Sequence, residues 1–393
     1  MPLRPPAGFI SAFYDPLKVP DAPTIGTATG GDAQASVEFT APTNVGGSAI
    51  TQYTAVSTPD GLFAQGSASP LTVTGLTNGT AYTFAVWALN TYGPSPYSAA
   101  SGSVSPQAPR GLFAGGGNSN TIDYVTISTT GNATDFGDLN RSSGNSCNNL
   151  AAVSSTSRGV FGGGFGPVNL MDYVTISSAG NAQDFGDLTP ARYDLGGCSS
   201  STRGVFGGGW TDQWSNSISY ITIASTGNST TFGILLARTR WLAGCSSPTR
   251  GLFAGGENSS SVILNVIQYI TIASTGNATD FGDLTSARSN LAGLSSSTRG
   301  VFGGGNGPSN IIDYVTIAST GNATDFGDLL SSTSSLAGTS SSVRGIFGGG
   351  AAPSATNVIQ YITIASVGNA TDFGDLTSAR AELAACSNGH GGL

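Results

Sequence analysis

The stretch STRGVFGGGW, residues 201–210, decides the fold, because near copies of it return along the chain. Arg-Gly, an apolar residue, Phe and small residues recur as RGLFAGGG from Arg110, RGVFGGG from Arg158, RGLFAGG from Arg250, RGVFGGG from Arg299 and RGIFGGG from Arg344. With Arg203, the arginines are spaced 48, 45, 47, 49 and 45 residues apart. Each copy continues into a tyrosine segment such as DYVTIAST, then GNATDFGDL, then a stretch like TSARSNLAGLSSST. A phosphate-cradling loop would need a helix after the glycines and usually Lys-Ser/Thr, and neither follows. Glycine accepts positive φ and lets backbones approach closely, so the triple glycine reads as a structural corner.

Each copy holds four short segments rich in β-branched or aromatic residues, separated by Gly, Asn and Ser turns. Four strands in ~47 residues is the size of a propeller blade. The glycine strand VFGGG, the tyrosine strand YVTIAST and the DFGDLTSAR segment resemble the kelch repeat, with Phe where that repeat usually has Trp. The resemblance covers 107–393 and implies a six-bladed kelch-like β-propeller. The first copy starts at its glycine strand, while the last runs on through TSARAELAACSNGHGGL, where Cys386 matches Cys198. The kelch-like mapping therefore makes 381–390 the inner strand beside 110–117. The C-terminal strand is expected to close the ring, so the chain end is not read as a truncation.

Residues 21–106 have a different texture. Alternation at Val37/Phe39 and at Tyr82/Phe84/Val86/Ala88 indicates half-buried strands. The run GLTNGTAYTFAVWALNTYG resembles the fibronectin type III signature, with Tyr82 at the tyrosine-corner position after Leu76. That resemblance implies a β-sandwich, a module that usually serves as a spacer or adhesive unit. Residues 1–20 form an N-terminal arm whose Phe9, Ile10, Phe13, Tyr14 and Leu17 are too few for a core of their own. They either pack on the sandwich or dock into another protein. The expected fold is thus all-β: arm, sandwich, propeller.

Composition limits function. Charged residues are 9% of the chain, far below the ~25% usual for soluble domains. The net charge of −8 offers no basic footprint for nucleic acid. No apolar run approaches the ~18 residues of a membrane helix, and the Pro-rich start does not read as a signal peptide. Cys198, Cys245 and Cys386 share a repeat position with Val153, Leu294 and Thr339, which makes it a small core slot for a free thiol.

Catalytic chemistry finds little support. His390 is the only histidine, which excludes multi-histidine metal sites and histidine triads in the body of the chain. The pairs Asp184/Asp187, Asp280/Asp283, Asp325/Asp328 and Asp372/Asp375 recur once per copy, as structural residues do, whereas an acid/base pair needs one distinctive environment. Arg203 and its equivalents are expected to bond carbonyls or carboxylates of the blades. Asn132, Asn277, Asn322 and Asn369, in NAT triplets, read as turn residues. No cofactor or metal is expected.

Variation between copies is more informative. The segments after the glycines and those before the inner strands are expected to open on one face. Copy three is the outlier in both, contributing Trp210, Trp214, Arg238, Arg240 and Trp241. With Phe165 and Tyr193 from the neighbouring segments, these are the candidate residues for binding a glycan or a protein. The alternative is that the tryptophans plug the channel or a blade interface. The architecture as a whole resembles virion appendage proteins of tailed bacteriophages. That resemblance implies a non-enzymatic tail fibre or appendage on the virion, in multiple copies. Its arm would dock on other virion proteins and its propeller would bind host-surface polysaccharide. The alternatives are a capsid or tail decoration protein with purely structural contacts and, more weakly, a glycan hydrolase.

Overall fold

The computed structural model describes residues 17–306 and 309–393. Phe9, Ile10, Phe13 and Tyr14 of the arm, and Gly307 and Pro308 of the fifth glycine segment, lie outside the described residues. The protein is all-β, built from many small antiparallel sheets in two compact units, 1–108 and 109–393.

In the first unit the strands Thr24–Gly31, Gln34–Thr40 and Leu71–Thr74 form one sheet. Phe63–Gly66, Gln52–Thr58, Thr83–Asn90 and Gly93–Pro94 form another. Alternation sends Val37, Phe39, Phe84, Val86 and Ala88 into a core shared by the two sheets. Tyr82 is fully buried, and its hydroxyl donates to Asp60 Oδ2 at 2.8 Å and accepts from Thr77 N at 3.1 Å, so the buried phenol is satisfied. Leu17, the one arm docking candidate among the described residues, is exposed.

The second unit contains six four-stranded antiparallel sheets, one per sequence repeat. The third is typical: Gly196–Ser199, Arg203–Gly207, Ser217–Thr222 and Thr230–Ile234 in order. The first sheet takes its opening strand from the other end of the sequence, where Ala384–Ser387 pairs antiparallel with Arg110–Ala114 in the register Cys386↔Leu112. This strand is shorter than the 381–390 expected from the repeat, because residues 388–393 do other work. The opening strands Ala151–Ser154, Gly196–Ser199, Ala243–Ser246, Ala292–Ser295, Ala337–Ser340 and Ala384–Ser387 contact one another in that order, and the last contacts the first.

Sheet packs on sheet through the glycine strands. Phe113, Phe161, Phe206, Phe253, Phe302 and Phe347 are all fully buried. A Cβ on Gly207 would lie 2.8 Å from the Phe253 ring, so the first glycine of the run makes room for the next sheet's phenylalanine. The glycines that follow turn the corner: Gly208 has φ +69° and Gly209 φ +98°. The corner reading of the triple glycine therefore holds.

Polar links tie each sheet to its neighbour. Arg110, Arg158, Arg203, Arg250, Arg299 and Arg344 stack on the tyrosine of their own sheet, as Arg203 does on Tyr220 at 4.3 Å. Each donates to a carbonyl of the following sheet, from Arg110 to Ile176 O round to Arg344 to Ile127 O. The repeated asparagines run the other way: Asn132, Asn181, Asn228, Asn277, Asn322 and Asn369 each accept a backbone N–H from the outer strand of the preceding sheet. Both sets are structural, as their recurrence implies, and the arginines choose carbonyls.

Candidate functional site

Copy three differs from its fellows where two connecting segments meet. Trp210 follows the glycine corner and exchanges backbone hydrogen bonds with Tyr193, at 2.7 and 3.1 Å. The linker that leads from the third sheet to the next opening strand contributes the short strand Thr239–Arg240, paired with Glu257–Asn258. These pairings hold Arg240 among three indoles. Its guanidinium carbon lies 5.1 Å from the Trp210 ring centre, 4.9 Å from Trp214 and 3.6 Å from Trp241. Trp210 and Trp214 meet edge to face at 4.5 Å. Glu257 Oε1 accepts from Arg240 Nη2 at 3.3 Å, while Arg240 Nε and Trp214 Nε1 are buried without partners. A guanidinium over an indole gains about 0.5–2 kcal/mol, and this one is shared among three.

The candidate residues named from the sequence thus converge, with one exception. Phe165 is exposed and stacks on Tyr193 at 4.9 Å, so the backbone pairing of Tyr193 and Trp210 makes one aromatic strip from Phe165 to Trp241. Arg238 stands apart: it is exposed and reaches only the Trp214 carbonyl, at 3.5 Å. The three tryptophans are half-buried. Trp210 and Trp214 pack on each other, and all three pack on Arg240.

A second cluster escaped the sequence reading. Asn149, Asp194, Trp241, Asn290, Ser335 and Glu382 precede the six opening strands, and all have φ between 54° and 64°. Each donates its backbone N–H to the carbonyl of the preceding member, and Asn149 donates to Glu382, so six hydrogen bonds run head to tail. With the six leucines that follow them in sequence, they line a cavity of about 80 Å³. Non-glycine residues rarely occupy the left-handed region, and Asn and Asp do so most readily. That preference was the available signal; polar residues in a Ser/Asn-rich linker look instead like solvated turns.

Asp194 is 5% exposed, and its Oδ1 has no hydrogen-bond partner among the described residues. Burial pushes its carboxyl up to about 7, helped by the charges of Glu382 and Glu257 and opposed by Arg240 and by a hydrogen bond from Trp241. Burial also raises Glu382. Trp241 therefore belongs to both clusters.

The other ends of the opening strands carry Ser154, Ser199, Ser246, Ser295, Ser340 and Ser387. Five hydroxyls donate to the carbonyl of the preceding serine. At the remaining step His390 Nε2 lies 3.2 Å from Ser154 O and 3.3 Å from Ser199 Oγ. Gly391 N donates to Ser295 O, so residues 390–392 fill this end. Burial holds the imidazole down to about 4.

Other candidate chemistry is committed to structure. Asp123, Asp172 and Asp313 are buried against Arg380, Arg141 and Arg288. Cys198, Cys245 and Cys386 are free and buried in the slot the repeat assigned them, and burial raises all three, Cys245 and Cys386 to about 12. Among the described residues no cluster of three or more His, Cys, Asp or Glu is arranged to hold a metal. No protein-family model matches the chain, and no curated protein matches it.

Proposed function

We propose that this chain is a non-enzymatic binding protein, a virion appendage of a tailed phage, whose repeat unit holds host-surface glycan on its copy-three face. In this reading 107–393 form a closed six-bladed kelch-like propeller and 21–106 a fibronectin type III-like sandwich. The cyclic order of opening-strand contacts, the arginine and asparagine links and the head-to-tail hydrogen bonds support the propeller. Two sheets on one core and the satisfied Tyr82 hydroxyl support the sandwich.

The observation that carries the binding reading is the aromatic strip Phe165–Tyr193–Trp210–Trp214–Trp241, present in one repeat neighbourhood out of six. Stability alone would spread such residues evenly, as it spreads the six buried phenylalanines. Half-buried indole faces flanked by arginine and polar side chains suit the apolar faces and hydroxyls of sugar rings. The test titrates the labelled full chain onto host cells and purified surface polysaccharides, beside a Trp210→Ala/Trp241→Ala variant of verified fold. Saturable binding that the variant loses supports the reading.

One observation favours the decoration alternative. Val262 and Ile263 are exposed in the loop whose Glu257–Asn258 strand pairs with Thr239–Arg240, which puts apolar surface beside the Trp/Arg cluster. A folded chain that binds no polysaccharide across a broad panel would support that alternative.

A further inference from the structure

The cavity ringed by Asn149, Asp194, Trp241, Asn290, Ser335 and Glu382 has a chemistry that the aromatic strip does not use. Both ionisable groups among its lining residues are acids, Asp194 and Glu382, on either side of Asn149 in the ring. Asp194 is nineteen-twentieths buried, yet Oδ1 lacks a hydrogen-bond partner. A buried carboxylate oxygen left unpaired costs free energy of a few kcal/mol, so such a group calls for an explanation. The nearby cation does not supply one. Arg240 bonds Glu257 and lies against three indoles, and it is absent from the cavity lining.

We infer that this cavity binds the primary ammonium group of a small polar ligand, with Asp194 Oδ1 as the acceptor and Glu382 as the second anion. An ammonium brings three donors on a compact cation. Asp194, the Asn149 and Asn290 amides and the Ser335 hydroxyl supply acceptors around it, and the Trp241 ring supplies a π face. The volume of about 80 Å³ has room for an ammonium and its first carbon. Since Trp241 also belongs to the aromatic strip, the ligand class becomes an amino sugar with a free amine, its ring on the strip and its ammonium in the cavity. This last step rests on the glycan-binding reading; the ammonium site itself does not.

The groups acting on Asp194 set the pH dependence. Arg240 and the Trp241 N–H favour its anion, while burial, Glu382 and Glu257 favour the neutral acid. Affinity for the cation is therefore expected to fall as the pH drops through 7.

The experiment titrates the full chain at pH 8 with glucosamine, N-acetylglucosamine and methylammonium, following tryptophan fluorescence and heat. Glucosamine and methylammonium are expected to saturate, and N-acetylglucosamine to bind at least tenfold more weakly. Asp194→Asn is expected to lose about tenfold or more for both amines, the effect of one charge-assisted hydrogen bond. Glu382→Gln, in a more exposed position, gives a second variant with a smaller loss in the same direction. Equal binding of glucosamine and N-acetylglucosamine would overturn the site, as would full affinity in a folded Asp194→Asn protein. Potassium competing at the same concentration as methylammonium would overturn the choice of an organic amine. Methylammonium bound by a chain that ignores every glycan would keep this site and sink the glycan reading.

Discussion

Arg192 donates from Nη2 to Ser219 Oγ at 3.0 Å, at the repeat position where Arg288 and Arg380 each meet an aspartate. Its side chain is fully buried and otherwise bonds only carbonyls, at Gly208, Ser217 and Phe206. Burial lowers it to about 10, so at neutral pH it is a buried cation without a counter-ion among the described residues.

Ser219→Asp is expected to stabilise the protein, since this copy has every other part of the pair. Thr285 and Thr377 donate N–H and hydroxyl to Asp313 and Asp123, and Thr189 occupies the same repeat position ahead of Arg192. Pairing the orphaned cation is worth about 1–3 kcal/mol. Chemical denaturation at pH 7 measures it; an unchanged or lower midpoint would show that the carbonyls already satisfy Arg192.

Two glycines separate corner from turn. A Cβ on Gly208 would sit 2.5 Å from the Thr239 carbonyl at φ +69°, while Gly276 has open space around it and no positive φ to sustain. Gly208→Ala is expected to cost about 3 kcal/mol or more, and Gly276→Ala within ~0.5 kcal/mol of nothing. Equal costs would mean that the corner relaxes.

His390 makes the unit acid-sensitive. Nδ1 accepts from Gly392 N at 3.0 Å, so Nε2 carries the proton and donates to Ser154 O. The folded imidazole titrates at about 4 against an ordinary 6.5. Below 6.5 the unfolded chain takes up a proton that the folded chain refuses, so stability falls as the pH drops from 6.5 to 4 and is flat above. The loss is about 3 kcal/mol. His390→Asn is expected to remove that slope, read as the difference between wild-type and variant unfolding free energies at pH 8 and pH 4.5.

Asp194 acts with the opposite sign. Its folded value of about 7 lies above the ordinary 3.8, so it destabilises the fold as the pH rises from 4 through 7. Asp194→Asn is expected to be more stable than wild type at pH 8, by an amount on the order of 2–4 kcal/mol, and to show no gain at pH 4. A residue that costs stability where its ligand would bind fits a retained functional group. A variant less stable at pH 8 would mark Asp194 as purely structural.

The repeat was legible because its physics is local and occurs six times. Val-Phe-Gly-Gly states a buried strand and a corner, and Tyr173 with Phe185 shows the edge-to-face pair that the tyrosine strand repeats in each sheet. The copy-three cluster was legible as an exception to that rule. What escaped was what forms only across sheets. Arg192, Arg288 and Arg380 looked like loop residues, although the sequence does carry a trace of their pairing. Where Thr239 and Thr333 stand instead of arginine, the position on the following tyrosine strand holds Gln268 and Gln360 instead of aspartate. The burial of Asp194 and His390 arises where residues of all six repeats meet, which no local pattern encodes.

The measurement that tests the account most directly is amide hydrogen exchange on the full chain with and without a saturating fragment of the bound polysaccharide. The account expects new protection at 209–216 and 237–242, and none at the outer turns 225–229 and 274–278. Protection confined to the His390 end, or spread equally over all six repeats, would contradict a binding face built on copy three.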